Sequence, residues 1–449
     1  MAKLPMRDDS SADIPFTPLQ DAAPTAPPRT AATTNRWYAL ALLTLVYTVN
    51  GIDRSLVPAL AEPIKHEFGL SDTQLGFMTG MVYALSFTTA GIPIGMLLDR
   101  VNRSRMMALL LAVWSGATVF AGLATSYGAQ LLARAGIAAA ESGAAPASMS
   151  LITDFFPPNK RATVMGLFYL SNSVSLIIGY ASAGIIAALF GWRTAFFIGG
   201  APGLLLSIVI LVTLKEPIRG AFDGGTSRAH KRSSFLSMFQ TVVHNRTLLL
   251  LTIGGVALII GQAGISAFLS PFFIRVHHVP VAEAGELIAI ILGVGSAIGT
   301  SAGGFLADRL AKNSARAACL FVAAVTLLAI PFFLVGILAA TTEQAVISLF
   351  IYSVLITGFY GTTFATYLSA APAHLRSSIG AFLIVMMNLV GYGVGPQLTG
   401  ILSDSLHRSG FAEALPAAMA AQAVFFFIGA GAYVMAGQCL MRLASASQE

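Results

Sequence analysis

Long apolar runs alternate with short polar joints from Trp37 to the end of the chain. A hydrocarbon core about 30 Å thick is crossed by about 20 apolar residues in an α-helix. The runs are continuously apolar, unlike the alternating strands of about ten residues in a membrane β-barrel. The pattern predicts an all-α membrane protein with twelve transmembrane helices, near residues 37–60, 74–98, 105–125, 129–154, 162–190, 192–214, 248–276, 282–308, 315–339, 345–371, 377–403 and 417–442.

Polar segments divide this pattern into domains. Residues 1–35 are polar and rich in proline, and no apolar segment follows a basic start, so we expect a disordered tail and not a signal peptide. The longest polar joint lies between the sixth and seventh helices and is rich in Lys, Arg, Ser and Gly. We therefore expect an N-terminal six-helix bundle, a linker, a C-terminal six-helix bundle and a short tail at residues 36–214, 215–247, 248–442 and 443–449.

An internal repeat supports the two bundles. The stretch from Gly95 to Arg100 recurs from Gly304 to Arg309, 209 residues later, with basic residues following both copies. A weaker match aligns Arg161 with Arg376 at an offset of 215 residues. Similar offsets indicate duplication of a six-helix unit, as in secondary transporters built from parallel repeats.

Charge sets the expected orientation. Only 10% of the residues are charged while 56% are hydrophobic, against roughly 25% charged in a soluble domain. Of the Lys and Arg residues in tails and joints, 20 fall on the side of the N-terminus and four on the other, namely Lys65, Arg193, Arg275 and Arg408. The positive-inside rule then predicts cytoplasmic termini. This asymmetry accounts for the net charge of +6, so the charge does not indicate nucleic-acid binding. We expect the protein to lie in a bacterial inner membrane.

Several kinds of chemistry lack their residues in the sequence. The two cysteines, Cys319 and Cys439, lie in apolar stretches without a CxxC partner, so neither a disulfide nor a zinc site is expected. No histidine falls in the middle of a span, and Ser142 therefore lacks the base that an intramembrane protease needs. Phosphate-loop signatures are absent as well. We expect no enzyme, no metal and no cofactor.

Four ionisable residues lie deep inside predicted spans. They are Asp53 and Arg54 in helix 1, and Arg134 and Glu141 in helix 4. A charge at the bilayer centre costs at least ~2.5–3.5 kcal/mol, so such residues usually line a cavity or pair with one another. Seven residues are close to two helical turns, which places Arg134 and Glu141 on one face of helix 4.

The motifs as a whole resemble the major facilitator superfamily and, within it, the spinster-like branch of lipid transporters. The superfamily motif lies between helices 2 and 3, from Gly95 to Arg105. Where the branch usually has Gly-Glu-Ala around the helix 4 glutamate, this chain has Ala140-Glu141-Ser142. The branch resemblance rests on Asn50-Gly-Ile-Asp53-Arg54, Leu70-Ser-Asp72-Thr-Gln74-Leu-Gly76, Arg134 with Glu141, Gly191-Trp192-Arg193-Thr-Ala-Phe196 and Glu216-Pro217-Ile-Arg219-Gly220.

The resemblance implies a central cavity lined by helices 1 and 4, in which the four charges would converge. Asp53 or Glu141 would then carry the coupling proton, or the charges would form a permanent ion pair that staples helices 1 and 4. Arg134 would capture an anionic headgroup or neutralise Glu141. We also expect a cavity lining of neutral polar and aromatic residues, contributed by both halves: Asn50, Tyr83, Tyr169, Gln262, Tyr360, Phe364, Tyr367, Asn388 and Tyr392.

The repeated motif is the candidate cytoplasmic gate. In the resembled fold it ties the two halves together on the inner side when the transporter faces outward. The alternative is that its charges are ordinary positive-inside loop charges. The residues concerned are Gly95, Asp99, Arg100, Arg103, Arg105, Asp308 and Arg309.

These features predict a secondary transporter that moves an amphipathic anionic lipid, such as a lysophospholipid or sphingoid phosphate, by proton-coupled alternating access. The lipid substrate follows from the resemblance alone. Two alternatives stay open: a proton-linked carrier of small polar organic anions, and a membrane sensor or scaffold without turnover. The expected partners are this substrate, protons and membrane lipids, and we expect a monomer.

Overall fold

The computed structural model describes residues 34–222, 235–311, 314–372 and 375–446. Most of the predicted N-terminal tail, the centre of the linker and the last three residues lie outside the described residues.

Within this described part, eleven helices are long and apolar enough to cross a membrane, and a twelfth span consists of two shorter helices. The prediction of an all-helical membrane fold is confirmed. We number the spans α1 to α12 in chain order: Arg36–Ala59, Asp72–Leu98, Arg103–Leu123, Tyr127–Glu141 with Ala144–Phe155, Pro158–Phe190, Trp192–Thr213, Arg246–Arg275, Val281–Leu306, Arg316–Ile337, Thr342–Ala370, Ser378–Arg408 and Ala414–Met441.

The fourth span breaks directly after Glu141. Its two helices are joined by a turn at Ser142 and Gly143. Pro146 contributes to the break because it has no N–H to donate to the carbonyl of Ser142. The tenth span has the same break between Ile356 and Phe359. The repeat detected in the sequence is therefore also present in the backbone.

Two ends of the bundle need names. The end at which α1 begins and α12 finishes is called the terminal end, and the opposite one the distal end.

In the N-terminal half α1 packs on α5 and α3 packs on α6, whereas in the C-terminal half α7 and α9 both pack on α12.

Glycines let the two halves meet closely along two seams, α2 with α11 and α5 with α8. A Cβ atom on Gly76 would lie 2.3 Å from the carbonyl oxygen of Pro396. A Cβ atom on Gly285 would lie 2.5 Å from that of Tyr180. Small residues allow backbones to approach in this way. Helices α2, α8 and α11 each contain a π-helical turn, at Phe77–Met81, Ala289–Val294 and Met387–Tyr392.

A polar cluster, here the distal latch, joins the halves where α2 begins. The carboxylate of Asp404 in α11 accepts hydrogen bonds from the backbone N–H groups of Asp72 (3.0 Å) and Thr73 (2.8 Å). The Asp72 carboxylate accepts from Arg275 at the end of α7 (2.9 and 3.0 Å) and from Ser403 (2.7 Å). A carboxylate from one half thus occupies the positive N-terminal end of a helix in the other.

At the terminal end, the glycines of the repeated motif make no such close approach. A Cβ atom on Gly95 of α2 or on Gly304 of α8 would meet nothing within 4 Å. The glycine seams and the distal latch therefore describe a conformation that is sealed at the distal end.

Candidate functional site

Helix α1 presents two polar faces to different surroundings. Tyr47, Asn50 and Arg54 follow each other at intervals of three and four residues, so they lie on one face. Asp53 is next to Arg54 in sequence and therefore points about 100° away from it. The Arg54 side chain is 34% exposed, whereas Asp53 is 1% exposed.

Tyr83 of α2 is the centre of the charged cluster. Its hydroxyl donates a 2.5 Å hydrogen bond to Oε2 of Glu141. The guanidinium groups of Arg54 and Arg134 lie 5.1 and 4.6 Å from the centre of its ring, within the range of cation–π attraction. Arg54 also forms a 3.8 Å salt bridge with Glu141. Three of the four predicted charges thus meet around one tyrosine.

Arg134 is buried and holds unused hydrogen-bond donors. It is 4% exposed, and neither Nε nor Nη1 has an acceptor among the described residues. Oε1 of Glu141 and Nδ2 of Asn50 also lack partners in this part of the chain. A guanidinium with free N–H groups can bind a carboxylate or phosphate through two parallel hydrogen bonds.

Asp53 does not join this cluster. Its carboxyl group faces the indole of Trp114 and the hydroxyl of Thr118, both in α3. Oδ1 is 3.6 Å from where a Cβ atom of Gly199 in α6 would be. The expected convergence of four charges in one cavity is therefore wrong for Asp53, because adjacent residues on a helix cannot share a face.

The C-terminal half contributes a neutral polar wall. The Tyr360 hydroxyl donates to Oε1 of Gln262 (3.2 Å) and lies 3.4 Å from the Tyr392 hydroxyl. Tyr392 is within electrostatic range of Arg54 and Tyr47 on the opposite wall. Sequence reasoning missed Tyr47, although its spacing from Asn50 and Arg54 was a usable signal.

The other predicted lining residues lie in different surroundings. Tyr169 is 45% exposed, with its hydroxyl 3.5 Å from the sulfur of Met149. Phe364 is partly buried against the C-terminal core, and Asn388 donates to the carbonyl of Ile384 in its own helix (2.9 Å).

Tyr367 departs from its predicted place. It is fully buried, and its hydroxyl is 3.0 Å from that of Thr252 in α7. Its side chain therefore packs inside the C-terminal bundle and does not line the cavity.

Arg103 of the repeated motif is bound within its own half. It is 4% exposed and contacts Asp154 of α4 (2.6 Å) and Glu216 after α6 (2.7 Å). Arg219 donates to the carbonyl of Leu98 (3.1 Å) and to those of Asp99 and Val101. In this conformation Arg103 therefore joins elements of its own half, and its role in the gate of the opposite state stays a prediction.

The remaining gate candidates lie at the terminal end. Asp99, Arg100 and Arg105 are exposed. Arg309 lies over the ring of Phe305 at 4.7 Å. The side chain of Asp308 lies outside the described residues.

At the distal end, an ion pair links the segment between α1 and α2 to the start of α6. Glu67, between α1 and α2, accepts 2.6 Å hydrogen bonds from Arg193 and from the indole of Trp192. The Arg193 hydrogen bond, followed by that from Trp192, holds the pKa of Glu67 below its ordinary value of 4.5.

Comparisons with known proteins agree with this architecture. The family model of the Major Facilitator Superfamily matches residues 43–396. An MFS-type efflux pump of Mycolicibacterium smegmatis is 28% identical over 393 residues, covering 85% of this chain and 88% of the pump. A sphingosine-1-phosphate transporter of Danio rerio is 25% identical over 388 residues, covering 83% and 77%.

A solved structure is also similar. It is the crystal structure of a bacterial homologue of the human lysosomal transporter Spinster in an inward-facing, unoccupied conformation. It superposes with a TM-score of 0.81 at 28% identity, over 92% of this chain and 99% of the homologue.

Proposed function

This chain belongs to the major facilitator superfamily as a spinster-like transporter, not an enzyme, and we propose that it moves an amphipathic anionic lipid by proton-coupled alternating access. The observation that carries the proposal is the cluster of Arg54, Arg134 and Glu141 around Tyr83. It combines an unfilled anion-binding guanidinium with a carboxylate that can exchange a proton.

The anionic headgroup binds at Arg134. Its unpartnered Nε and Nη1 donors and its burial favour an anionic acceptor, such as a phosphate. The cation–π contact with Tyr83 holds the guanidinium plane in place. The similarity to a sphingosine-1-phosphate transporter supports the lipid class of the substrate.

Glu141 is the coupling acid. In the described conformation Tyr83 and Arg54 contact the same oxygen, Oε2, and both favour the carboxylate. An anionic substrate that draws the arginines away would leave this carboxylate less compensated and favour proton uptake. Asp53, which contacts neither arginine through a salt bridge in the described chain, is the second candidate.

Alternating access follows from breaking one seal and forming the other. The distal latch and the glycine seams close one end, and the motif around Asp99 closes the terminal end in the opposite state. We further propose cytoplasmic termini, a bacterial inner membrane and a monomer, on the basis of the Lys and Arg distribution and the family architecture. The described conformation would then face inward.

Transport into proteoliposomes tests this function. We expect labelled lysophosphatidate to accumulate against its gradient when a pH gradient is imposed at zero membrane potential. Glu141→Gln should abolish the dependence on pH, while the matched control Glu343→Gln, at the distal start of α10, should retain it. If the Glu141→Gln protein still accumulates lysophosphatidate in response to the pH gradient, the role of Glu141 is refuted.

A second candidate substrate class is favoured by one observation. The wall of Gln262, Tyr360 and Tyr392 offers hydrogen bonds instead of an apolar surface, which suits a small polar organic anion. Competition between lysolipids and short organic anions separates these two carriers. A chain that transports neither would be a sensor or scaffold.

A further inference from the structure

We propose that His277 is a pH-sensitive element of the distal seal, and that its protonation loosens the joint between α7 and α8 and favours opening of the distal end. This joint comprises residues 276–280 and directly follows Arg275, the α7 residue of the distal latch. The inference concerns the conformational equilibrium alone, so it goes beyond the proposed function and does not depend on the identity of the substrate.

The joint is closed by a tight turn at the end of α7. The N–H of Val279 donates to the carbonyl of Phe273 (3.1 Å), and His278 within this turn has a φ of 54°. Many helices end with one residue in this left-handed region, where glycine is usual and a residue with a side chain is strained. The packing of the neighbouring side chains therefore holds the turn against backbone strain.

The ring of His277 packs in an apolar site beside this turn. Its centroid lies 5.0 Å from that of Phe272 and 5.8 Å from that of Phe273, and both phenylalanines are fully buried. Nδ1 is 3.5 Å from the hydroxyl oxygen of Thr342 at the start of α10. Nε2 is buried and has no hydrogen-bond partner among the described residues. The ring thus connects the joint to α10, while one of its nitrogens is enclosed without a partner.

Only the neutral ring suits this site. A neutral imidazole carries one N–H, and with this group on Nδ1 it can donate to Thr342 while Nε2 keeps its lone pair. The protonated ring carries two N–H groups, so Nε2 would become a buried charged donor without an acceptor, which is costly. Burial, followed by repulsion from His278, accordingly holds the pKa of His277 below its ordinary value of 6.5.

The charged groups on the surrounding elements do not compensate a proton on His277. His278 is exposed on the same joint and repels that proton. On α7, Arg275 is directed to Glu62 and Asp72 of the N-terminal half. The acidic residues near the joint on α8 and α10 are exposed: Glu283, Glu286 and Glu343.

The position of His277 couples its ring to the distal latch. From the last residue of α7, Arg275 donates to Glu62 (2.7 Å) and to both oxygens of Asp72 (2.9 and 3.0 Å). These contacts need a fixed helix end, because they require one guanidinium to reach two carboxylates at once. Release of His277 from α10 frees the turn that ends α7, and the latch is weakened. The sealed conformation therefore keeps its full stability above pH 6.5 and loses it as the pH falls through the lowered pKa of His277.

Distances between spin labels at the distal end test the inference. The labels are attached to cysteines that replace His66 and Ser409, which are exposed in opposite halves. As the pH falls from about 8 to about 5, the range in which histidine titrates, we expect the ratio of open to sealed molecules to rise at least about fivefold, the lower limit of typical couplings. His277→Phe keeps an aromatic ring but cannot bind a proton, so the rise should disappear. The matched control His278→Asn should retain it, because asparagine tolerates the left-handed backbone.

Hydrogen exchange provides a second readout that needs no substitution. After correction for the intrinsic pH dependence of exchange, we expect the N–H of Val279 to be less protected at the acid end of this range, by a similar factor. An equal rise in the label ratio with and without His277→Phe, or equal protection of Val279 at both ends of the range, would overturn the inference. Neither measurement requires a substrate, so a protein that shows both effects but moves no lipid would refute only the proposed function.

Discussion

The α2–α11 seam allows a quantitative test of the alternating-access account through Gly76→Ala. The added methyl group would lie 2.3 Å from the Pro396 carbonyl oxygen, where ordinary contact begins at 3.4 Å. The neighbouring atoms are backbone, so the two helices must separate by about 1 Å. Overpacking of this kind typically costs 1–3 kcal/mol. In the opposite state the seam is open and the methyl group costs little, so the ratio of the two states should change about 5–150-fold.

Distances between spin labels measure this shift. His66 and Ser409 are exposed at the distal end, one in each half, and both lie outside the glycine seams. We expect the label pair to gain a longer-distance population in Gly76→Ala. Gly116→Ala in α3, where an added Cβ atom meets nothing within 4 Å, is the matched control and should leave the distances unchanged. Identical distributions in the Gly76→Ala and wild-type proteins would refute the reasoning.

Three further predictions concern individual charges. Arg134→Ala should weaken lysophosphatidate binding and Arg134→Lys should restore it only in part, because lysine cannot form the bidentate contact; full rescue in calorimetry would indicate a simple counter-charge. Asp99→Asn should favour the distally sealed state. For a gate interaction of about 1.4 kcal/mol, the ratio of the two states should change about tenfold. Unchanged distances between labels at the terminal end would show that the motif sets only the membrane topology. Glu67→Gln should lower the thermal unfolding temperature slightly at pH 7, because exposed pairs contribute about 0–1 kcal/mol. Since the folded pKa of Glu67 lies below 4.5, its stabilisation is complete above that pH and disappears as the pH falls through the lowered value; an effect that persists in strong acid would contradict the ion pair.

The sequence predicted the features that depend on local periodicity. Apolar runs located the spans, and the seven-residue spacing correctly placed Arg134 and Glu141 on one side of α4, where both approach Tyr83. The same geometry could have separated Asp53 from Arg54, because neighbours on a helix differ by about 100°. Asp53 and Arg54 therefore have different neighbours, although both are charged and adjacent in the sequence.

Contacts between helices that are distant in the sequence could not be predicted from local periodicity. In the sequence, nothing distinguishes Asp404 from other polar residues near helix ends. Its contacts with the start of α2 arise only because α11 packs beside that helix. Tyr367 could not be assigned to the core before α7 and Thr252 were placed next to it. Such pairings depend on tertiary packing, which hydropathy and spacing do not encode.

Proton movement coupled to lipid transport is the central claim, and simultaneous measurement of both fluxes tests it most directly. Proteoliposomes containing the wild-type protein and an internal pH-sensitive dye would be supplied with lysophosphatidate at zero membrane potential. The account predicts a pH change inside the vesicles that accompanies lipid uptake and disappears in Glu141→Gln. Lipid uptake without a pH change in the wild-type protein, at every imposed gradient, would contradict it.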